Sequence, residues 1–189
     1  MSTEDRRYES FDSLLEKSVL LGKKIAQWSS KTGNKFDGLV VIPRGGFYPA
    51  MALAQMFHLE APAIISASIT SYSKDNKMSS GSFKKGQVPL DVHVRGTDWL
   101  IVDDVFDTGQ TVKELTDDLY RQGANSVKSA CLYYKPGKSK VDIKPDFFVE
   151  QYDGWVDFAW EADFDKLLDL EKEQIFKDVS FVAGKADGL

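Results

Sequence analysis

Residues 100–111 read LIVDDVFDTGQT, and this stretch decides the fold. The apolar run from Trp99 to Val102 predicts a buried strand that ends in two acidic residues. A Thr-Gly turn follows, and a helix is predicted from about Thr111 to Gln122, with Gly123 as its stop signal. Strand, loop and helix in this order are typical of an α/β protein, in which ligands bind where loops leave the carboxyl ends of strands.

The same alternation of strand and helix patterns continues along the chain. Helical spacing predicts a helix from Phe11 to Trp28 and a second from Phe47 to Phe57, with His58 at its end. A polar helix is predicted from about Asp165 to Lys177. Short apolar runs predict further strands at Gly38–Ile42, Ala63–Ile69, Val127–Tyr133 and Phe147–Glu150. We therefore predict an α/β fold, with a mainly parallel, twisted sheet flanked by helices.

The segment from Ser71 to Thr97 differs from its neighbours because it is polar and shows no sustained period. It is far longer than the usual connection of about 4 to 6 residues. Segments of this length often serve as lids over a binding site. We predict a lid loop at residues 71–97.

The composition is that of an ordinary globular domain, with 42% apolar and 28% charged residues. No apolar run approaches the roughly 20 residues that span a bilayer, and the first ten residues lack the apolar centre of a signal peptide. Cys131 is the single cysteine, so we expect a soluble, cytoplasmic protein without an internal disulfide or a membrane partner. The net charge of -5 argues against a nucleic-acid partner. Two histidines leave little material for a zinc cluster or for a hydrolase with a histidine base.

The order of residues after the central strand indicates a particular ligand chemistry. Backbone N–H groups from Thr108 to Thr111, with two hydroxyls and a helix N-terminus, form a nest suited to a phosphate monoester. Gly109 lets the ligand approach the backbone closely. Asp103 and Asp104 are acceptors when ionised, which suits paired ribose hydroxyls and the water shell of a magnesium ion. Acids beside a phosphate nest point to a sugar phosphate, although a plain capped strand–helix junction shares part of this pattern.

The full string of apolar strand, Asp-Asp, two residues and Asp-Thr-Gly-x-Thr closely resembles the signature of the type I phosphoribosyltransferases, which bind phosphoribosyl pyrophosphate (PRPP). The resemblance runs from about Phe36 to Asp163. It implies that Asp103 and Asp104 hold the ribose hydroxyls and that Asp107 sits near the base as the catalytic acid–base group. It assigns the 5-phosphate to the turn Thr108, Gly109, Gln110 and Thr111. Gln110 departs from the small or basic residue of many members, but a backbone contact tolerates that change.

A second matching element is residues 42–46, Ile-Pro-Arg-Gly-Gly, which resembles the pyrophosphate loop of the same family. Arg44 can bind two oxygens of a diphosphate with one planar group, and Gly45 belongs to the same turn. Ser71-Tyr72 resembles the pair at which purine enzymes begin their lid. Closure of such a lid would exclude water from a reactive C1 atom.

The C-terminal third resembles the xanthine, guanine and hypoxanthine phosphoribosyltransferases. Lys135 offers a cation to a 6-oxo group and opposes the amino group of adenine. Trp155 presents a flat face to a purine, and the Val156 backbone can meet the ring edge. Glu161 stands where relatives usually carry Asp, and we assign it to an exocyclic group or to a second magnesium ion. Asp104 would hold the first magnesium ion, through water.

The resemblance also implies an organisation for the whole chain as a single domain of residues 1–189. We expect an N-terminal helix in 1–35, a PRPP-binding core in 36–150, a small purine-binding hood in 151–164, and a C-terminal helix and tail in 165–189. Relatives assemble as dimers or tetramers, so we expect a homo-oligomer. A non-catalytic PRPP sensor remains an alternative, as does an enzyme for adenine or orotate. A receiver-like signalling domain is less well matched, because its acids would follow the first strand.

Overall fold

The computed structural model describes residues 5–59, 63–72, 83–87 and 93–161. Nine strands and three α-helices lie in these ranges, together with a short 3-10 helix at Pro136–Lys138. In chain order the elements are β1 Arg6–Glu9, α1 Phe11–Thr32, β2 Gly38–Val41, α2 Phe47–Phe57, β3 Ile64–Ser66, β4 Ser68–Tyr72, β5 Phe83–Gln87, β6 Asp98–Phe106, α3 Gln110–Arg121, β7 Ser126–Tyr134, β8 Phe147–Gln151 and β9 Trp155–Phe158. The helix predicted for 165–177 and the tail lie outside the described residues.

The central sheet has five strands in the order β3-β2-β6-β7-β8, and every neighbouring pair is parallel. Val41 of β2 is in register with Val102 of β6, which is in register with Ala130 of β7. The carboxyl ends of these three strands therefore share one edge of the sheet. The predicted parallel sheet flanked by helices is confirmed.

Parallel sheets are usually covered on both faces, so the central parts of their inner strands are apolar, as in Trp99–Val102 of β6. All four residues of β2 are buried. On α3, the buried positions Val112, Leu115 and Leu119 share one face and join the apolar core of β6. Trp28 of α1 packs edge to face on Phe147 of β8, at 5.5 Å between ring centroids.

Helix α1 is longer than predicted. It continues through the polar residues after Trp28 and ends at Thr32, whose hydroxyl donates to the Trp28 carbonyl oxygen at 2.9 Å. Gly33 then takes a φ of 74° and donates its N–H to the Ser29 carbonyl oxygen at 2.8 Å. The glycine is the true stop signal, because it adopts the left-handed conformation that closes a helix.

The region after α2 also differs from its prediction. The single strand expected at Ala63–Ile69 is two strands, β3 and β4, separated at the buried Ala67. Strand β4 leaves the central sheet and pairs antiparallel with β5, in register from Ser68↔Gln87 to Tyr72↔Phe83. The expectation of an irregular loop is therefore wrong for Phe83–Gln87. Lid residues 73–82 and 88–92 lie outside the described part of the chain, and the lid stays a prediction.

The described residues divide into two compact units. The large unit comprises residues 12–154 and contains the central sheet. In the small unit, residues 5–11 join residues 155–161, and β1 pairs in parallel with β9. Neither β1 nor β9 was expected from the sequence. Among the described helices, none combines the length and apolarity needed to cross a membrane.

Candidate active site

Three loops meet at the carboxyl edge of the central sheet, because they leave the neighbouring strands β2, β6 and β7. Arg44 and Gly45 follow β2, and Lys135 follows β7 directly. The acids Asp103 and Asp104 lie in the last part of β6. The sheet therefore brings together side chains that are far apart along the chain, from Arg44 to Lys135.

Two glycines let the β2 loop rest on the end of β6. A Cβ atom at Gly46 would lie 2.5 Å from the carbonyl oxygens of both Ile42 and Val102. A Cβ atom at Gly45 would overlap the carboxylate of Asp104. The Pro43–Arg44 peptide bond is cis. Any residue larger than glycine at Gly45 would displace the acid, so the Arg-Gly-Gly turn and the Asp-Asp pair form one structural feature.

The acid pair is ordered by the backbone around it. The Asp104 N–H donates to Asp103 Oδ1 at 3.0 Å, and the Val105 N–H donates to Asp104 Oδ1 at 2.8 Å. Burial raises the pKa of Asp104, and the hydrogen bonds and the positive charge of Lys135 oppose that shift only in part. The site therefore holds a partly buried carboxylate that gains from the arrival of a cation or of hydroxyl donors.

Lys135 is 8% exposed, which is rare for lysine unless its charge is compensated. Its backbone N–H donates to the Phe106 carbonyl oxygen at 2.9 Å, so it starts its loop against the end of β6. The loop is also fixed by Asp153, whose Oδ1 accepts from the Gly137 N–H at 2.8 Å. Sequence reasoning missed Asp153, although its place in a Tyr-Asp-Gly turn after a strand is a signal for side-chain hydrogen bonding to backbone.

The predicted phosphate nest lies between β6 and α3. Gly109 has a φ of 76° and directly precedes the first residue of α3, Gln110. The first N–H groups of a helix have no partner within the helix, so they point toward the space in front of this turn. Lys140 donates its N–H to the Thr108 carbonyl oxygen at 2.9 Å and holds the turn from outside. Asp107, in the same turn, is exposed.

The predicted purine residues divide between the two units. Lys135 belongs to the large unit, while Trp155, Val156 and Glu161 belong to the small one. Trp155 is 46% exposed, Val156 is buried, and Glu161 is exposed in a helical turn after β9. Trp160 stacks on Phe158 at 4.4 Å between ring centroids, which agrees with a packing role for that side chain.

The described residues contain no group of three or more His, Cys, Asp or Glu side chains arranged to hold a metal ion. Magnesium does not need such a group, because it commonly uses one or two carboxylates and takes its other ligands from water and substrate phosphates. Asp103 and Asp104 provide that limited set of oxygen ligands. The donors present therefore fit a magnesium ion that arrives with a phosphorylated substrate.

Comparison with protein families matches residues 10–166 to the phosphoribosyl transferase domain. The xanthine-guanine phosphoribosyltransferase of Nitratidesulfovibrio vulgaris is 30% identical over 172 residues, which cover 90% of this chain and 96% of that protein. The hypoxanthine-guanine phosphoribosyltransferase of Streptococcus agalactiae is 31% identical over 140 residues, which cover 74% of each chain.

Among solved structures, the purine phosphoribosyltransferase from Pyrococcus horikoshii superposes with a TM-score of 0.65 at 25% identity. The match covers 83% of this chain and 95% of that structure. Both the sequence and the fold are therefore similar to proteins of one family along most of their length.

Proposed function

Since the chain belongs to the phosphoribosyl transferase domain family, we propose that it transfers the 5-phosphoribosyl group of PRPP to a 6-oxopurine. The products are a nucleoside monophosphate and pyrophosphate, and the enzyme is a pentosyltransferase of purine salvage. The observation that carries this proposal is the packing of the Gly45 turn on Asp104, beside the glycine nest at α3. We also place the enzyme in the cytoplasm, in keeping with a single, free cysteine, Cys131.

PRPP would lie along the carboxyl edge of the sheet. Its 5-phosphate would bind the backbone N–H groups of Thr108 to Thr111, where the helix dipole also favours an anion. Its ribose hydroxyls would donate to Asp103 and Asp104, and its diphosphate would contact the Arg44 guanidinium and the Gly45 backbone. The close contact between Gly45 and Asp104 supports this assignment, because ribose and diphosphate are adjacent groups of one molecule.

Magnesium would be held near Asp104, through water, together with oxygens of PRPP. When bound, it neutralises the charge that develops on the departing pyrophosphate. Glu161 is our candidate for a second ion or for an exocyclic group of the base. The requirement for metal is tested by chelation. We expect a chelator to abolish activity and added magnesium to restore it.

The purine would be recognised by the residues that the family resemblance assigns to it, Lys135, Trp155 and Val156. Lys135 would donate to the 6-oxo group, and its low exposure supports a role that is more specific than solubility. Trp155 would stack on the ring, a contact worth about 1 to 3 kcal/mol in nucleic-acid sites. The Val156 backbone would meet the edge of the base. The preference among xanthine, guanine and hypoxanthine depends on groups around the 2-position.

The bond between C1 and the pyrophosphate oxygen breaks while purine N9 forms the new bond to C1. Asp107 would accept or stabilise the proton at N7, which requires hydrogen-bond reach in the complex. Positioning and charge stabilisation would supply most of the rate. We expect Asp107→Asn to lower kcat by about 100-fold or more while the affinity for PRPP changes little. Equal turnover in this variant would contradict the role of Asp107.

The first test is pyrophosphate release from PRPP and magnesium with hypoxanthine, guanine, xanthine or adenine supplied in turn. Release with a 6-oxopurine but not with adenine supports the reaction and the role of Lys135. Release with adenine or orotate instead identifies another base. Binding of PRPP without release for any base favours a non-catalytic sensor. Arg44→Ala should weaken pyrophosphate binding in both reaction directions.

We also propose that the protein is a homo-oligomer, a dimer or a tetramer. The support is on α2, where Phe47 and Met51 are 50% and 66% exposed beside an apolar groove of about 580 Å³. Exposed apolar side chains clustered in this way are typical of protein–protein contacts. Sedimentation velocity would test the state, and Met51→Glu should shift it toward the monomer.

A further inference from the structure

In the small unit, Trp155 is contacted by two side chains that the sequence did not indicate, Arg6 and Asp157. Arg6 of β1 binds Asp157 of β9 with two nitrogen atoms: Nε donates to Oδ2 at 3.0 Å, and Nη2 donates to Oδ1. The same Oδ1 accepts from the indole Nε1–H of Trp155 at 3.1 Å. The Arg6 guanidinium carbon also stands over the Trp155 ring, 5.8 Å from its centroid.

Strand geometry explains why these side chains meet. Arg6 is in register with Trp155 in the parallel pair, and residues two apart on a strand point to the same face. Arg6, Trp155 and Asp157 therefore share one face of the two-stranded sheet. Val156 and Phe158 are on the opposite face and are buried. Packing of that opposite face fixes the backbone from which the three clustered side chains project.

These contacts define how the indole is presented. The bond from Nε1 to Asp157 fixes the tilt of the ring, and Arg6 occupies one of its faces. The side chain is 46% exposed, so part of its surface remains accessible to a ligand. The hydrogen bonds from Arg6 also lower the pKa of Asp157, which keeps the acceptor ionised.

We propose that Arg6 and Asp157 are positioning residues of the purine site, which hold the Trp155 indole in the orientation in which it stacks on the base. The proposal rests on the stacking role of Trp155 given above. A freely rotating, half-exposed indole would lose rotamer freedom each time a base binds, whereas an indole already held by two neighbours loses less. The N-terminal strand thereby contributes to base affinity without touching the base.

The test is steady-state kinetics with hypoxanthine, guanine or xanthine varied at saturating PRPP, and then with PRPP varied. We expect Arg6→Ala to raise the KM for the purine about three- to tenfold, the scale of one cation–π contact with a charged hydrogen bond, and to leave the KM for PRPP unchanged. Arg6→Lys keeps the cation but loses the two-nitrogen contact, so its KM should lie in between. Asp157→Asn should resemble Arg6→Lys.

A matched control is Arg121→Ala, because Arg121 is an exposed arginine in an ion pair of the large unit, with Asp118 at 2.9 Å. Its side chain is 67% exposed, against 61% for Arg6. Loss of Arg121 should leave both KM values unchanged. Fluorescence gives a second readout. The emission of Trp155 is the part of the total that Trp155→Phe removes, and acrylamide should quench this part more readily in the Arg6→Ala protein than in the parent protein.

Trp155→Ala separates this proposal from the one beneath it. If Trp155→Ala raises the purine KM and Arg6→Ala does not, the positioning role is overturned and the stacking role stays intact. An unchanged purine KM for Trp155→Ala would remove both. Equal increases in the purine and PRPP KM values for Arg6→Ala, with a lower melting temperature, would show a purely structural contact and would also overturn the proposal.

Discussion

Gly109 and Gly96 have nearly the same backbone conformation, with φ values of 76° and 75°, but different surroundings. A Cβ atom at Gly109 would lie 2.5 Å from Val141 and 2.6 Å from the Phe106 ring, whereas one at Gly96 would meet nothing within 4 Å. Gly96→Ala should therefore cost about 1 to 2 kcal/mol for the left-handed backbone alone. Gly109→Ala should cost about 1 to 3 kcal/mol more through overpacking.

Urea denaturation of the two variants measures this difference, and pyrophosphate release should fall only for Gly109→Ala. Equal losses of stability would mean that the nest has room for a side chain. That result would contradict the close packing of Val141 against the Gly109 turn.

Asp104 offers a second test at this scale, because its pKa is raised by burial. A carboxyl group with a raised folded-state pKa favours the folded state below its unfolded pKa, near 3.9, and loses that contribution as the pH rises through the folded value. At pH 7 the ionised group therefore destabilises the protein without ligand. Asp104→Asn should raise the melting temperature at pH 7. The decrease in melting temperature between pH 4 and pH 7 should be smaller in this variant than in the parent protein. Turnover should be roughly 10- to 100-fold lower.

Thermal melts of both proteins across pH, without PRPP or metal, provide the measurement. A less stable Asp104→Asn protein at pH 7 would show that the carboxylate is already well compensated in the absence of ligand. The interpretation that the Asp104 carboxylate is compensated only when a ligand binds would then be wrong.

At the scale of elements, the loop after β7 depends on a contact from the loop after β8. Asp153 accepts from the Gly137 N–H, two residues beyond Lys135. Asp153→Ala should lower the free energy of unfolding by about 1 to 3 kcal/mol, because the Gly137 N–H loses its acceptor. It should also raise the purine KM, because the loop that carries Lys135 is then less well fixed. Asp153→Asn retains an acceptor oxygen and should stay close to the parent protein. An unchanged KM in Asp153→Ala would separate the loop from base recognition.

How much of the site could be predicted depends on how locally each part is encoded. The acids, the glycine nest and the helix start lie within residues 103–111, so one motif contained them. The contact of Gly45 with Asp104 follows from the pairing of β2 with β6, which the alternation of strands and helices made predictable. Asp153 and Arg6 act through hydrogen bonds across distant parts of the chain. Exposed polar residues of that kind carry no periodic signal.

At the scale of the whole molecule, the parallel sheet was predictable because its strands must be apolar on both faces. Strands β1 and β5 were not, since each is short and mostly polar: β1 reads Arg-Arg-Tyr-Glu and β5 reads Phe-Lys-Lys-Gly-Gln. Their regularity comes from their partners, β9 and β4, and tertiary pairing overrides weak intrinsic preference. The boundary between β3 and β4 is also set by a tertiary contact: the buried Ala67 donates its N–H to the Val41 carbonyl oxygen at 2.9 Å.

The pairing of β1 with β9 has a consequence for how the chain matures on the ribosome. Arg6–Glu9 is translated first among the described strands, and its partner Trp155–Phe158 follows only after the five strands of the central sheet have been synthesised. At synthesis rates of about 5 to 20 residues per second, that delay is roughly 7 to 30 s. The residues proposed to bind PRPP lie between Arg44 and Thr111, so they are synthesised before the strand that carries Trp155. A chain released from the ribosome before residue 155 would therefore contain those residues but lack the proposed stacking surface for the base.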